Sequence, residues 1–236
     1  MTAEEKLLFE IINRLHDRFG KHAILRGGMV LRILGCERYT NDVDYVFVPY
    51  ASKKDIVEDV LAALRTLSGV TLDHSMNSKC LRIKVFQAKT AVQVEIKTAM
   101  DESVIVLSTK YLAEQMGLPP RLLPVVDLSL ALADKLAAWN ERRLPRDLYD
   151  VFFFLRMGIR PDPARLEKRL LKPQYSKLVK DNDRFHGAVL EAFYSFLREK
   201  IMRLDEDDFL QSLADILPSD ELPGLLLRLR AEVAKL

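Results

Sequence analysis

Hydrophobic residues recur with a helical period near the start of the chain. Leu7, Leu8, Ile11, Ile12 and Leu15 form one stripe at i, i+4 and i+8 spacing, and charged residues occupy the opposite face. A stripe of this kind is typical of an amphipathic helix that packs on a core. The pattern therefore predicts a first helix over about residues 3–18.

Shorter apolar runs follow, each bounded by glycine, proline or polar residues. They predict helices over residues 29–34 and 53–67 and strands over residues 22–25, 43–48, 70–74, 80–87 and 91–98. Gly35 suits the end of the first of these helices, Ser52 can cap the second, and Pro49 ends a strand. Because only residues 88–90 separate the last two strands, these strands are expected to form a hairpin.

The second half of the chain is almost wholly helical in pattern. Helices are predicted near residues 127–142, 146–157, 163–171, 183–202, 206–216 and 221–235. Pro119, Pro120 and Pro124 mark the change in composition. We therefore expect an α+β protein, with a mixed sheet flanked by helices over residues 1–120 and a helical bundle over residues 121–236.

Composition narrows the class of protein. The 236 residues are 49% hydrophobic and 30% charged, which is typical of a folded chain with a core. A net charge of +2 neither requires nor excludes a nucleic acid partner. No apolar run reaches the roughly 20 residues of a membrane span, so no membrane partner is expected. Cys36 and Cys80 lack a CxxC spacing, which favours a cytoplasmic protein, and the four histidines lack the spacing of a zinc site.

The stretch from Arg26 to Asp44 carries the clearest candidate chemistry. Gly27 and Gly28 precede a short helix and allow a backbone to approach phosphate closely. Asp42 and Asp44 begin the next strand and, being two residues apart, point to the same face. Paired carboxylates repel each other unless a cation lies between them, and magnesium binds carboxylate and phosphate oxygens together. Taken singly, a glycine turn or an Asp-x-Asp is more often structural; their order in the chain points to nucleotide chemistry.

This order of residues resembles a known family. The chain reads Gly27-Gly28-Met29-Val30-Leu31 and then Gly35-Cys36-Glu37-Arg38-Tyr39-Thr40-Asn41-Asp42-Val43-Asp44. The stretch is similar to the first motif of the DNA polymerase β-like nucleotidyltransferase superfamily, and most of all to its AbiEii/AbiGii toxin branch. Met29 departs from the family, which usually has a small hydroxyl residue there in contact with triphosphate.

The resemblance implies a transferase that moves a nucleoside monophosphate from an NTP to an acceptor hydroxyl, with magnesium or manganese as cofactor. Asp42 and Asp44 would bind the metal, and Arg26, Gly27 and Gly28 would bind the nucleotide. Arg38 and Thr40 would bind nucleotide or orient the metal-binding loop. The implied setting is a toxin–antitoxin or phage-defence system, with tRNA or a protein as acceptor and a cognate antitoxin as partner.

A second set of residues lies in the helical half. The stretch from Leu132 to Trp139, followed by Arg146, Asp147 and Asp150, is similar to the later motifs of the family, so that the helical domain would complete the active-site cleft. Lys135 lies on an apolar stripe, where it either extends to water or binds an anion such as triphosphate. Asp147 is placed to offset a helix dipole, whereas Asp150 can pair with Lys135 or Arg146; the resemblance assigns a role to one of the two aspartates.

A third carboxylate often completes such sites. Glu95 is the candidate, either as general base or as a further metal ligand, and the equal alternative is the solvent face of a half-buried strand. Arg82 and Lys84 either line the nucleotide cleft beside Glu95 or face solvent.

The C-terminal helices contain a basic cluster near residues 165–180. Its members are Arg165, Lys168, Arg169, Lys172, Lys177 and Lys180. Solvated helix faces explain most such clusters, and contact with an RNA acceptor is the alternative. Two further functions stay open: transfer to a small molecule, as in aminoglycoside-resistance enzymes, and a non-catalytic member that binds a nucleotide or a partner protein.

Overall fold

A computed structural model describes residues 2–172 and 189–236 of the chain. The chain divides into two compact units, residues 1–127 and 128–236. The first unit combines a mixed sheet with helices, and the described part of the second is helical. The predicted α+β fold is confirmed.

The sheet of the first unit has seven strands within the described residues. They are β1 (Ala23–Arg26), β2 (Asp42–Phe47), β3 (Val70–Met76), β4 (Leu81–Gln87), β5 (Thr90–Thr98), β6 (Val104–Ser108) and β7 (Leu122–Val126). Their spatial order is β3-β4-β5-β2-β1-β7-β6. The pairs β1–β7 and β2–β5 are parallel and the other neighbours are antiparallel, which makes the sheet mixed. The predicted β4–β5 hairpin is confirmed.

The helices of this unit are α1 (Ala3–Phe19), α2 (Gly28–Ile33), α3 (Val57–Arg65) and α4 (Lys110–Met116) among the described residues. The apolar stripe predicted for α1 is buried, and Thr2 and Glu5 cap its first turn reciprocally. Glu5 also accepts a hydrogen bond from Nη2 of Arg32 at 2.6 Å. This ion pair joins the beginning of α1 to α2, the helix that follows the glycine pair.

Three elements of the first unit were not predicted: β6, α4 and β7. Pro124 lies inside β7 and argues against a strand by sequence alone. In the sheet it stands opposite Val106 at a non-bonded position of the antiparallel ladder, where no N–H is needed for the bonds with β6. Pro119, Pro120 and Pro124, where the composition changes, therefore lie in or just before a strand of the sheet, because β7 pairs with β1.

The second unit contains α5 (Leu128–Arg142), α6 (Pro145–Arg156), α7 (Pro163–Leu170), α8 (Val189–Met202), α9 (Glu206–Gln211) and α10 (Leu225–Val233). Its core includes Leu132, Phe152, Phe193, Leu197 and Leu229, all almost fully buried. The last predicted helix begins later than expected, because Pro223 and Gly224 precede it. The predicted start of a helix at residue 183 lies outside the described residues. Among the described helices, none is long and apolar enough to cross a membrane.

Candidate active site

The glycine turn between β1 and α2 is shaped by a carboxylate. In the register of β1 and β2, Arg26 stands opposite Asp44, so the turn at Gly27 lies beside the start of β2. Gly27 has φ 75° and ψ −150°, a conformation that is essentially restricted to glycine. A Cβ atom at this position would lie 2.0 Å from Oδ2 of Asp44. The absence of a side chain at Gly27 thus makes room for the Asp44 carboxylate.

Gly28 makes room for two other predicted site residues. A Cβ atom there would lie 2.9 Å from Nη2 of Arg38 and 2.9 Å from Oγ1 of Thr40. Both side chains are buried, and Nη1 of Arg38 donates to the carbonyl of Tyr39 at 3.0 Å. The loop before β2 is therefore packed directly against the first residue of α2.

The two aspartates lie on the same face of the sheet. Val43 and Tyr45 alternate with them and are buried on the other face. Oγ1 of Thr40 donates to Oδ1 of Asp42 at 2.5 Å, which fixes the orientation of that carboxylate. The shared face of Asp42 and Asp44 at the start of β2 agrees with their spacing, and their convergence on a metal ion stays a prediction.

Glu95 lies beside this pair. Strands β2 and β5 run parallel with Asp44 next to Glu95 and Asp42 next to Gln93, so all four side chains share a face. Oε1 of Glu95 accepts hydrogen bonds from Nε and Nη2 of Arg82 at 3.0 and 2.8 Å, and from Nε2 of Gln93 at 2.9 Å. The third carboxylate thus stands next to the first two but is engaged by an arginine. Arg82 and Lys84 are both exposed.

The carboxylates on this face of the sheet could bind a metal ion only together with other ligands. In residues 2–172 and 189–236, no three His, Cys, Asp or Glu side chains gather closely enough to hold a metal. Asp42 and Asp44 nevertheless offer hard oxygen ligands on one face, beside backbone that only glycine can form. A magnesium ion bound through one or two carboxylates takes its other ligands from water and substrate phosphate. The residues present fit such an ion.

Met29 is a core residue. Its side chain is 1% exposed and lies among the other buried residues of α2. It therefore does not supply the polar phosphate contact that a hydroxyl residue makes at this position in the family.

In the second unit, both predicted aspartates form ion pairs. Nζ of Lys135 donates to Oδ2 of Asp150 at 2.5 Å, and Asp150 is almost completely buried. Asp147 is also buried and accepts two hydrogen bonds from Arg142, each 2.6 Å long. The hydrogen bond to Asp147 raises the pKa of the Arg142 guanidinium. The pairing of Asp150 with Lys135, rather than Arg146, was one of the two expected alternatives.

Part of the basic cluster is internal. Arg165 donates to both carboxylate oxygens of Asp134, and Arg169 donates to Asp134 at 3.0 Å and to Glu141 at 2.6 Å. These bonds join α7 to α5. Two cations of the cluster therefore pair with carboxylates of the chain itself, and no RNA is needed to explain their presence. Lys168 and Lys172 are exposed, whereas Lys177 and Lys180 lie outside the described residues.

Sequence reasoning missed the role of Asp134. An acid next to Lys135 in an otherwise apolar helical stretch was the available signal, but its arginine partners lie in another helix.

Replacing Lys135 with methionine is expected to lower the free energy of unfolding of the helical unit by about 3 kcal/mol. The substitution keeps the apolar stem but leaves the Asp150 carboxylate buried without its lysine, and removing one partner of a buried pair costs this much. The measurement is denaturant unfolding followed by the fluorescence of Trp139, the only tryptophan of the chain, which lies in α5 with Lys135.

The matched control is Lys168→Met, which removes an exposed lysine of the same unit and is expected to change stability by less than about 0.5 kcal/mol. The double variant Lys135→Met/Asp150→Asn should recover a large part of the loss. Equal stability of the two lysine variants would show that the ion pair contributes nothing.

Comparison with known proteins identifies relatives. Residues 10–227 match the family model described as nucleotidyl transferase AbiEii toxin, type IV toxin–antitoxin system. Among curated protein sequences, none matches significantly.

Several solved structures are similar in fold. The nucleotidyltransferase toxin MenT4 from Mycobacterium tuberculosis is 17% identical, with 99% of this chain and 85% of that chain covered and a TM-score of 0.62. JHP933 from Helicobacter pylori is 16% identical, with 98% and 89% covered and a TM-score of 0.56.

Proposed function

The chain belongs to the AbiEii family of nucleotidyl transferase toxins, and from this premise we propose a magnesium- or manganese-dependent transfer of a nucleoside monophosphate from an NTP to an acceptor hydroxyl. The acceptor hydroxyl attacks the α-phosphorus, the bond to the β-phosphate oxygen breaks, and pyrophosphate leaves. The acceptor is a tRNA or a protein, and the setting is the cytoplasm, with a cognate antitoxin as partner. Cys36 and Cys80 are buried and not joined in a disulfide, which is compatible with a reducing compartment.

One observation carries this proposal. Asp42 and Asp44 share a face at the start of β2, with Asp42 oriented by Thr40 and Asp44 seated against Gly27. Two preoriented carboxylates at this position suit the binding of a divalent cation. When bound, the cation neutralises charge on the triphosphate and on the leaving pyrophosphate.

The other residues position the substrate and the aspartates. We assign Arg26, Gly27 and Gly28 to the nucleotide, and Arg38 and Thr40 to the loop that orients the aspartates. Glu95 is assigned to the acceptor side, as the carboxylate beside Asp44 that receives the proton of the hydroxyl. Its Oε1 is held by Arg82 and Gln93, which fixes the direction in which the carboxylate faces.

Lys135 is assigned to the triphosphate, with Asp150 as the residue that holds its ammonium group in place. Asp147 then supports the packing of α6 on α5 through Arg142, the last residue of the helix that contains Lys135. In this assignment, both aspartates position other groups and neither touches the substrate.

The test is transfer of label to RNA or protein. The purified chain is incubated with each α-labelled NTP, magnesium, and tRNA or a cell lysate, and labelled acceptors are separated by gel electrophoresis. Label is expected with the wild-type chain and not with Asp42→Ala or in the presence of EDTA. Label transfer that Asp42→Ala leaves unchanged would refute the assigned site.

A non-catalytic member of the fold is the second candidate. The burial of Met29 and the engagement of Glu95 by Arg82 favour it. Titration calorimetry with NTP and magnesium separates the two candidates, because tight binding without transfer to any acceptor supports only the non-catalytic one.

A further inference from the structure

Strand β6 is an edge of the sheet and is unusually open to pairing. It reads Val104-Ile105-Val106-Leu107-Ser108, with neither a charge nor a proline in the strand. Val106 is 61% exposed and Val104 is 43% exposed. Edge strands of soluble proteins are commonly protected by charged residues, prolines or bulges, because an open edge recruits another strand. This edge carries no such protection.

The backbone groups that face the open edge follow from the register with β7. Bonds between these strands run from N–H of Thr109 to the carbonyl of Arg121 and from N–H of Asp127 to the carbonyl of Ser103, each 2.9 Å long. In an antiparallel ladder, bonded pairs alternate with non-bonded pairs. Val106 stands opposite Pro124, which has no N–H to donate. Hence the N–H and carbonyl groups of Val104, Val106 and Ser108 point away from β7.

The two ends of β6 differ in charge. Asp101 and Glu102 precede the strand, whereas the exposed Lys110 follows it, 3.8 Å from Glu114. The nearby Arg121 is bound by Asp17, so Lys110 is the cation that this end presents. An open hollow of about 220 Å³ lies at this basic end, lined by Ser108, Lys110, Pro120, Arg121 and Leu122. The strand thus has an acidic end and a basic end that includes a hollow.

We propose that β6 pairs with β6 of a second copy of this chain, antiparallel and centred on Val106. In this register, Val106 faces Val106 of the copy, and Val104 faces Ser108 of the copy. Each facing pair has its N–H and carbonyl groups directed at the other strand, so each exchanges both hydrogen bonds. The sheet then continues from one copy into the other without an exposed β6 edge.

Charge selects the second copy and its direction. With Val106 at the centre, the acidic end at Glu102 meets the basic end at Lys110 of the copy, and the same contact is repeated on the other side. A parallel arrangement would bring like ends together and is disfavoured, because opposed like charges across strands destabilise the pairing. Exposed Val104 and Val106 are covered on one face, and Ile105 approaches Leu107 of the copy on the other.

The oligomeric state of the full chain tests this interface. Sedimentation equilibrium over the micromolar range is expected to give a reversible dimer for the wild type. Val106→Lys places two ammonium groups at the twofold axis and is expected to weaken dimerisation at least about tenfold. Leu227→Lys is the matched control, because it changes another exposed apolar residue, on α10, and should leave the dimer unchanged. Circular dichroism establishes that each variant is folded.

A charge exchange tests the register. Glu102→Lys alone should weaken the dimer, and the double variant Glu102→Lys/Lys110→Glu should restore it. A wild-type chain that stays monomeric at all concentrations overturns the proposal. In that case, the partner of the β6 edge would be a strand of a different protein. A dimer that Val106→Lys does not weaken, or a double variant as weak as the single one, also overturns it.

Discussion

Replacing Asp44 with asparagine is expected to lower the rate of nucleotidyl transfer by about a thousandfold. The amide has the size of the carboxylate and keeps the packing against Gly27, but it loses the charge that would bind a divalent cation. Cation stabilisation of a phosphoryl transition state is worth several kcal/mol, and each 1.36 kcal/mol is a tenfold change in rate. The measurement is initial-rate transfer of labelled nucleotide to the acceptor identified with the wild-type chain.

The control for this variant is Glu37→Gln, which removes an exposed carboxylate from the loop that leads to β2. It should transfer within about twofold of the wild type, because its charge lies outside the assigned metal ligands. Denaturant unfolding of the Asp44→Asn variant should match the wild type. Transfer by Asp44→Asn at the rate of Glu37→Gln would show that Asp44 binds no catalytic metal.

Replacing Gly27 with alanine is expected to lower transfer at least about a hundredfold. The new Cβ would lie 2.0 Å from Oδ2 of Asp44, so the carboxylate must turn away from the turn. Misplacing a reacting group by about 1 Å can cost a hundredfold in rate. The backbone conformation adds an unfolding penalty of about 1–3 kcal/mol, because it is essentially restricted to glycine.

The matched control is Gly20→Ala. Gly20 has φ 54° and ψ −124°, close to the conformation of Gly27, and no atom lies within 4 Å of a Cβ built there. Both variants should lose the stability that this backbone conformation costs, Gly27→Ala should lose more because Asp44 must move, and only Gly27→Ala should lose transfer. Equal activity of the two variants would mean that the packing of Asp44 against Gly27 has no role in transfer.

The parts of the site that sequence reasoning predicted are local ones. The strand period places Asp42 and Asp44 on one face, and the glycine pair marks the turn before α2. Neither the strand period nor the glycine pair predicts which atoms lie against the glycines. Phosphate binding at Gly27 and Gly28 stays a prediction. The side chains that the structure places against these glycines are those of Asp44, Arg38 and Thr40, and Asp44 is placed there by the register of β1 and β2.

Charged residues of the helical unit show more clearly which contacts a single sequence does not predict. A lysine on an apolar stripe is compatible with water, phosphate or a carboxylate, and only the packing of α5 with α6 places Asp150 at its ammonium group. Likewise, Arg165 and Arg169 read as part of a basic cluster until α7 is packed against Asp134. Single-sequence patterns give the face of a helix but not its partner.

The fit of Asp44 against Gly27 also has an evolutionary consequence. The glycine is required sterically only while a carboxylate occupies the space above it, so a lineage that loses the aspartate is freed from that steric constraint. In relatives that have abandoned the chemistry, only the backbone conformation then favours glycine, and we expect substitutions at position 27 to follow loss of the aspartate. A joint substitution at positions 27 and 44 would then mark a degenerate member of the family from its gene sequence alone.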